Sequence, residues 1–156
     1  MQGDSTQPAI SVNGLWQVFG ADPVPKFKAA EAIDPTPTAI TERLQNQGLI
    51  PAVRGVSFDV APGELFVVMG LSGAGKSTVI RGISRLVEPT AGQILIEGED
   101  VRAASPKRLT EMRRSTIGMV FQHFGLFPHM SVIDNVAFQL KVGDMKRAER
   151  HAKAKP

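Results

Sequence analysis

Residues 65–78 read LFVVMGLSGAGKST, and the rest of the chain is best understood outward from them. Leu65 to Met69 is apolar throughout, the pattern of a strand buried on both faces of a parallel sheet. Gly70 to Ser77 then fits GxxxxGK[ST], and Ser77 to Leu86 reads as a helix, so a glycine-rich loop joins strand to helix. Glycine at 70, 73 and 75 permits positive φ and lets backbone N–H groups converge on an anion. Unpaired amides in the first helical turn and the helix dipole favour negative charge at the same place. The pattern implies a cradle for the phosphates of ATP or GTP, formed by Gly70, Ser72, Gly73, Ala74, Gly75, Lys76, Ser77 and Thr78. Lys76 is expected to reach the β and γ phosphates, Ser77 to ligate Mg²⁺ and Thr78 to bond the α-phosphate.

Upstream, ISVNGLWQVF (residues 10–19) mixes β-branched and aromatic residues in rough alternation and reads as a first strand ended by Gly20. From 21 to 49 the prolines at 23, 25, 35 and 37 break the run around helix-like patches at 26–33 and 38–47, as in an insertion. Val53 to Val60 returns to strand, and Ala61-Pro62-Gly63-Glu64 is a turn. Downstream, a strand is expected at 93–97, a turn at 98–100 and a helix from Ser105-Pro106 to Arg114. A further apolar strand is expected at 117–121, then a loop over 122–130, then a helix capped by Ser131 and running to Leu140.

The chain has 156 residues and no cysteine, which bounds it to about one domain and excludes disulfides and thiolate metal sites. Its polar N-terminus lacks a leader pattern, and no apolar run approaches the roughly 20 residues that span a bilayer. The net charge of +3 comes largely from Lys141, Lys146, Arg147, Arg150, Lys153 and Lys155. Without interleaved aromatics these read as a solvated basic helix, and no nucleic-acid partner is expected. His123 and His129 have no second ligand set at a fitting spacing and read as loop residues.

Three stretches in order, GLSGAGKST, PTAGQILIEGEDV and IGMVFQHFGLFPHMSVIDNVAF, resemble the ATP-binding domains of ABC transporters. The insertion after the first strand and the wording of LFPHMSVIDNVAF are similar to the ATPase subunits of glycine betaine/proline importers, from about Val12 onward. The resemblance implies an α/β P-loop NTPase core with an antiparallel β subdomain. It divides the chain into 1–20 (first strand and adenine-stacking loop), 21–50 (insertion), 51–130 (P-loop core and glutamine loop) and 131–156 (start of a helical subdomain). By the same resemblance Gln122 contacts Mg²⁺ and the attacking water, and Phe19 stacks on adenine, with Trp16 a poorer candidate. The apolar FGLFPHM stretch is either core packing or the face that meets a membrane subunit. The implied partners are transmembrane permease subunits, a second ATPase subunit and, indirectly, a substrate-binding protein, at the cytoplasmic face of the membrane.

No hydrophobic strand ending in Asp-Glu, no LSGGQ and no switch histidine follows Gln122, so the chain is expected to be truncated within the helical subdomain. Ile94 to Glu97 imitates the Asp-Glu strand but falls where this family has an antiparallel hairpin. Binding of ATP without efficient hydrolysis is therefore expected. A catalytically inactive nucleotide-binding module and a small P-loop kinase are the competing readings, the latter needing an arginine-bearing lid.

Overall fold

A computed structural model describes residues 7–121, 125–141 and 145–154. The chain forms two compact units, 1–105 and 106–156.

In the first unit, β1 (Ile10–Phe19) pairs antiparallel with β2 (Ile50–Val60) on one side and β3 (Ala91–Ile96) on the other. A two-residue β4 (Glu99–Asp100) completes the sheet order β2-β1-β3-β4. Ile94 to Ile96 thus lies in an antiparallel hairpin, as expected. That hairpin turns at Glu97-Gly98, both at positive φ, so Glu99 and Asp100 belong to a strand and not to the turn expected at 98–100.

The insertion folds as two helices, α1 (Pro23–Ile33) and α2 (Pro37–Asn46). Of the prolines that look like breaks, Pro23 and Pro37 open the helices and Pro25 falls in the first turn of α1, where a missing N–H costs no intrahelical bond, while Pro35 lies between the two helices. These helices share one core with the sheet: Trp16, Val18, Phe27, Ala30, Ile40, Leu44 and Leu49 are all buried together. Trp16 and Phe27 meet at 5.2 Å between ring centroids.

After β2 comes α3 (Lys76–Ile83), which ends where Arg85 takes φ 50° and donates to the Val101 and Ala104 carbonyls. The segment between them departs from expectation. Leu65 to Met69 is not a strand, and Leu65 and Met69 are 89% and 85% exposed. An apolar strand of a parallel sheet needs neighbours on both edges, and none of the described residues supplies one. Within this segment Phe66 stacks on Phe58 at 4.7 Å between ring centroids. Ile117 to Phe121 is likewise not a strand, for the same reason.

The second unit holds α4 (Pro106–Ser115), two short helices α5 (Val132–Val136) and α6 (Phe138–Lys141) in place of the single helix expected, and α7 (Arg147–Ala154). Ser131 caps α5 by accepting from the Asp134 N–H at 3.2 Å. The Asp134 carboxylate in turn accepts from the Ser131 hydroxyl at 2.7 Å and pairs with His151 at 2.7 Å and Arg147 at 3.2 Å. Arg147 and His151 are four apart on α7 and so share a face of it.

Those partners, the Ser131 hydroxyl foremost, hold the Asp134 carboxyl down at about 2. A depressed carboxyl contributes stability that is complete above its ordinary value of 3.8 and is lost as pH falls through about 2. Asp134→Asn is therefore expected to lower thermal stability at neutral pH. The difference from the parent chain should shrink between about pH 4 and pH 2, read from far-ultraviolet circular dichroism melts. A difference that stays constant across that window would contradict the assignment.

Candidate functional site

The glycine-rich loop is a tight turn closed by the Ala74 N–H on the Leu71 carbonyl at 3.2 Å. Gly73 and Gly75 take φ 79° and 84°, conformations that any side chain would strain. Gly70 does not have the positive φ expected of it. Its requirement is spatial, since a Cβ there would lie 3.3 Å from the Ala74 Cβ. A Cβ on Gly73 would meet nothing within 4 Å, so that side of the loop is open to approach.

Gly75 is also the N-cap of α3, and it offers no side-chain cap. The first amides of the helix, from Lys76 to Thr78, therefore have no partner within the helix and face the loop. The Lys76 ammonium folds back into this space, donating to the Gly70 carbonyl at 2.9 Å and the Leu71 carbonyl at 2.7 Å. A concave run of backbone donors with a cation at its mouth fits an anionic phosphate chain. Ser72, Ala74 and Ser77 are exposed, and Thr78 is half-buried. Among the described residues no group of three or more His, Asp or Glu is placed to hold a metal. Ser77 is the one expected metal-binding residue that the structure describes, because Gln122 lies outside the described residues, as do His123 and Phe124.

Phe19 ends β1 with 41% of its surface exposed, directly opposite Ile50 across the β1–β2 ladder. Trp16 is buried against Phe27 and cannot present a ring face to a base. Two residues beyond Ile50, the Ala52 carbonyl fills the space that a Cβ on Gly75 would need. The aromatic end of β1 and the phosphate loop are thus tied to the same end of β2. A cleft of about 440 Å³ runs between Ile50–Val53 and the loop residues Gly73 and Ala74. Ala52 and Ile50 carry no signal in the sequence, since their place depends on strand register.

In the second unit, Asn135 holds the loop before α5. Its amide nitrogen donates to the carbonyls of Phe127, Met130 and Ser131, and its oxygen accepts from the Phe127 N–H at 2.7 Å. The Phe127 ring packs on Phe138 at 4.5 Å while Leu126 is 65% exposed. Of the described residues of that stretch, Phe127 thus packs partly inward and Leu126 is exposed. His129 makes an edge contact with Phe127 at 5.9 Å and, among the described residues, is in no group of His, Asp or Glu that could hold a metal.

A family model described as ABC transporter matches residues 53–155. The chain is 46% identical, over 95% of its length, to the trimethylamine N-oxide transport system ATP-binding protein TmoW of Ruegeria pomeroyi. It is 42% identical, over 93% of its length, to the glycine betaine/proline betaine transport system ATP-binding protein ProV of Escherichia coli. It spans 41% and 35% of those two relatives. Among solved structures, it resembles the dimeric post-hydrolysis state of the ATP-binding cassette MJ0796 bound to ADP and Pi, with TM-score 0.70 and 27% identity. That likeness covers 93% of this chain and 53% of the other.

Proposed function

Because the chain belongs to the ABC transporter family, we propose that it is the nucleotide-binding portion of an ATP-binding subunit serving an importer of glycine betaine, proline or related quaternary amines. The observation that carries the nucleotide part is the loop at 70–78, with Gly75 seated on β2, the uncapped start of α3 and the Lys76 ammonium at its mouth. The importer class is supported by relatives named for betaine and trimethylamine N-oxide transport. They align over at least 93% of the chain, an extent that must take in α1 and α2.

In this reading the backbone amides of Ser72 to Thr78 bind the phosphates, and Lys76 moves from its two carbonyls onto the β and γ oxygens. The Ser77 hydroxyl, with Gln122, ligates Mg²⁺, and Phe19 offers its ring face to adenine. Magnesium-bound ATP supplies the phosphoanhydride whose cleavage drives transport in such systems. The 156 residues contain no Asp-Glu strand end to hold the metal and activate water, so these residues support binding better than hydrolysis. The full assembly would pair this subunit with a second copy and two permease subunits, and a substrate-binding protein would deliver the amine. Association at the cytoplasmic membrane face through those partners is consistent with the described residues, none of whose helices is long and apolar enough to cross a bilayer.

A fluorescent ATP analogue with magnesium is expected to bind the folded chain, and Lys76→Ala to weaken binding by at least about tenfold, the scale of a charged hydrogen bond. Phosphate release should match that of the Lys76→Ala control. Equal binding by both proteins would sink the nucleotide reading, and release clearly above the control would overturn the hydrolysis part.

A further inference from the structure

The sheet has no topological need of residues 20–49. Phe19, the last residue of β1, is the register partner of Ile50, the first of β2. Strand ends so placed are ordinarily joined by a two-residue turn. The chain instead orders two helices there, at a large cost in conformational entropy, and buries their apolar faces on the sheet.

Contacts lead from these helices to the phosphate loop. Leu44 of α2 is fully buried, and its carbonyl accepts from the Leu49 N–H at 3.0 Å, which fixes the residue just before β2. Leu49 is itself buried and lies against Gly20, where a Cβ would be 3.3 Å from the Leu49 Cγ. At the start of α2, Pro37 closes on Gly55 together with the Trp16 indole: a Cβ on Gly55 would lie 3.7 Å from the Pro37 Cγ and 3.4 Å from the Trp16 Nε1. Ala52 lies between these two anchors, with its carbonyl against Gly75. β2 is an edge strand, held in the described sheet by β1 alone. Its position against the loop therefore depends on what packs on it, and α2 does.

We propose that α1 and α2 form a positioning clamp for the phosphate loop, pinning Ile50 to Gly55 of β2 so that the Ala52 carbonyl holds Gly75 in its left-handed conformation. This rests on the nucleotide-binding reading and goes beyond it by giving the helical pair a role in that site. The contact runs through β2, on which α2 packs. A clamp predicts that loosening the helices frees the loop before it frees the sheet.

The test uses the 156-residue chain, its Leu44→Ala and Leu44→Met variants, and a version with residues 20–49 replaced by Asn-Gly. In Leu44→Ala and in the loop replacement, affinity for the fluorescent ATP analogue should fall about tenfold, the scale of one lost charged hydrogen bond, with Leu44→Met close to the parent. Hydrogen exchange at the Val79 amide, which bonds the Gly75 carbonyl at 2.9 Å, should quicken while amides of the β1–β3 ladder keep their protection. Unchanged affinity and exchange at Val79 would overturn the clamp. So would loosening of loop and ladder together, which is mere loss of global stability. If the loop replacement does not fold, Leu44→Ala alone decides. A parent chain that binds no ATP analogue would sink the nucleotide reading, while the exchange comparison would still decide whether the helices hold the loop.

Discussion

Gly75→Ala should lower affinity for a fluorescent ATP analogue by about ten- to a hundredfold, the equivalent of roughly 1–3 kcal/mol of backbone strain. Two independent demands converge on this residue. Its φ of 84° is one that alanine adopts only under strain, and the new methyl would overlap the Ala52 carbonyl. Backbone cannot rotate aside as a side chain can, so either the loop leaves β2 or β2 leaves β1. Both movements turn the first amides of α3 away from their common focus. Gly73→Ala is the internal comparison, since it shares the strain but meets nothing within 4 Å. It should weaken binding less. Equilibrium titration of the two variants beside the parent decides the matter, and equal losses would mean that the contact with β2 is idle.

Phe27→Ala should destabilise the first unit by about 3–5 kcal/mol, the usual range for removing a buried aromatic ring. Phe27 is 2% exposed and leans on Trp16, in a core that also seats Ile40 and Leu44. No strand can move in to refill the space, because the ring sits between two helices and the sheet that carries them. Trp16 is the sole tryptophan of the chain, so its fluorescence reports this core directly. Urea unfolding followed at that emission should show the midpoint drop with little change in slope. A loss below about 1 kcal/mol would place the ring outside the stabilising core.

How much of this was legible in the sequence depended on whether an element is built from local or distant partners. The first strand was readable because the alternation in ISVNGLWQVF is its own signature, and the observed strand spans the same residues. The glycine loop was readable because its spacing encodes a backbone shape. The stretches LFVVM and IGMVF carry equally strong strand patterns, yet neither is a strand here, since a strand exists only where another backbone pairs with it. Prolines 23 and 37 misled in the opposite sense, standing at helix starts instead of interruptions. The contact of Ala52 with Gly75 and the pairing of Asp134 with His151 link residues 23 and 17 positions apart, and no local pattern announces either. Gln122, inferred from resemblance alone, lies outside the described residues.

The folded-back ammonium of Lys76 bears on the heat of association. Because it already donates to two carbonyls, an arriving phosphate does not find a bare cation but takes over one that is internally solvated. On the proposed reading, capture gives up two bonds to neutral carbonyls for bonds to charged phosphate oxygens, so the bonds surrendered offset part of what the stronger new ones contribute.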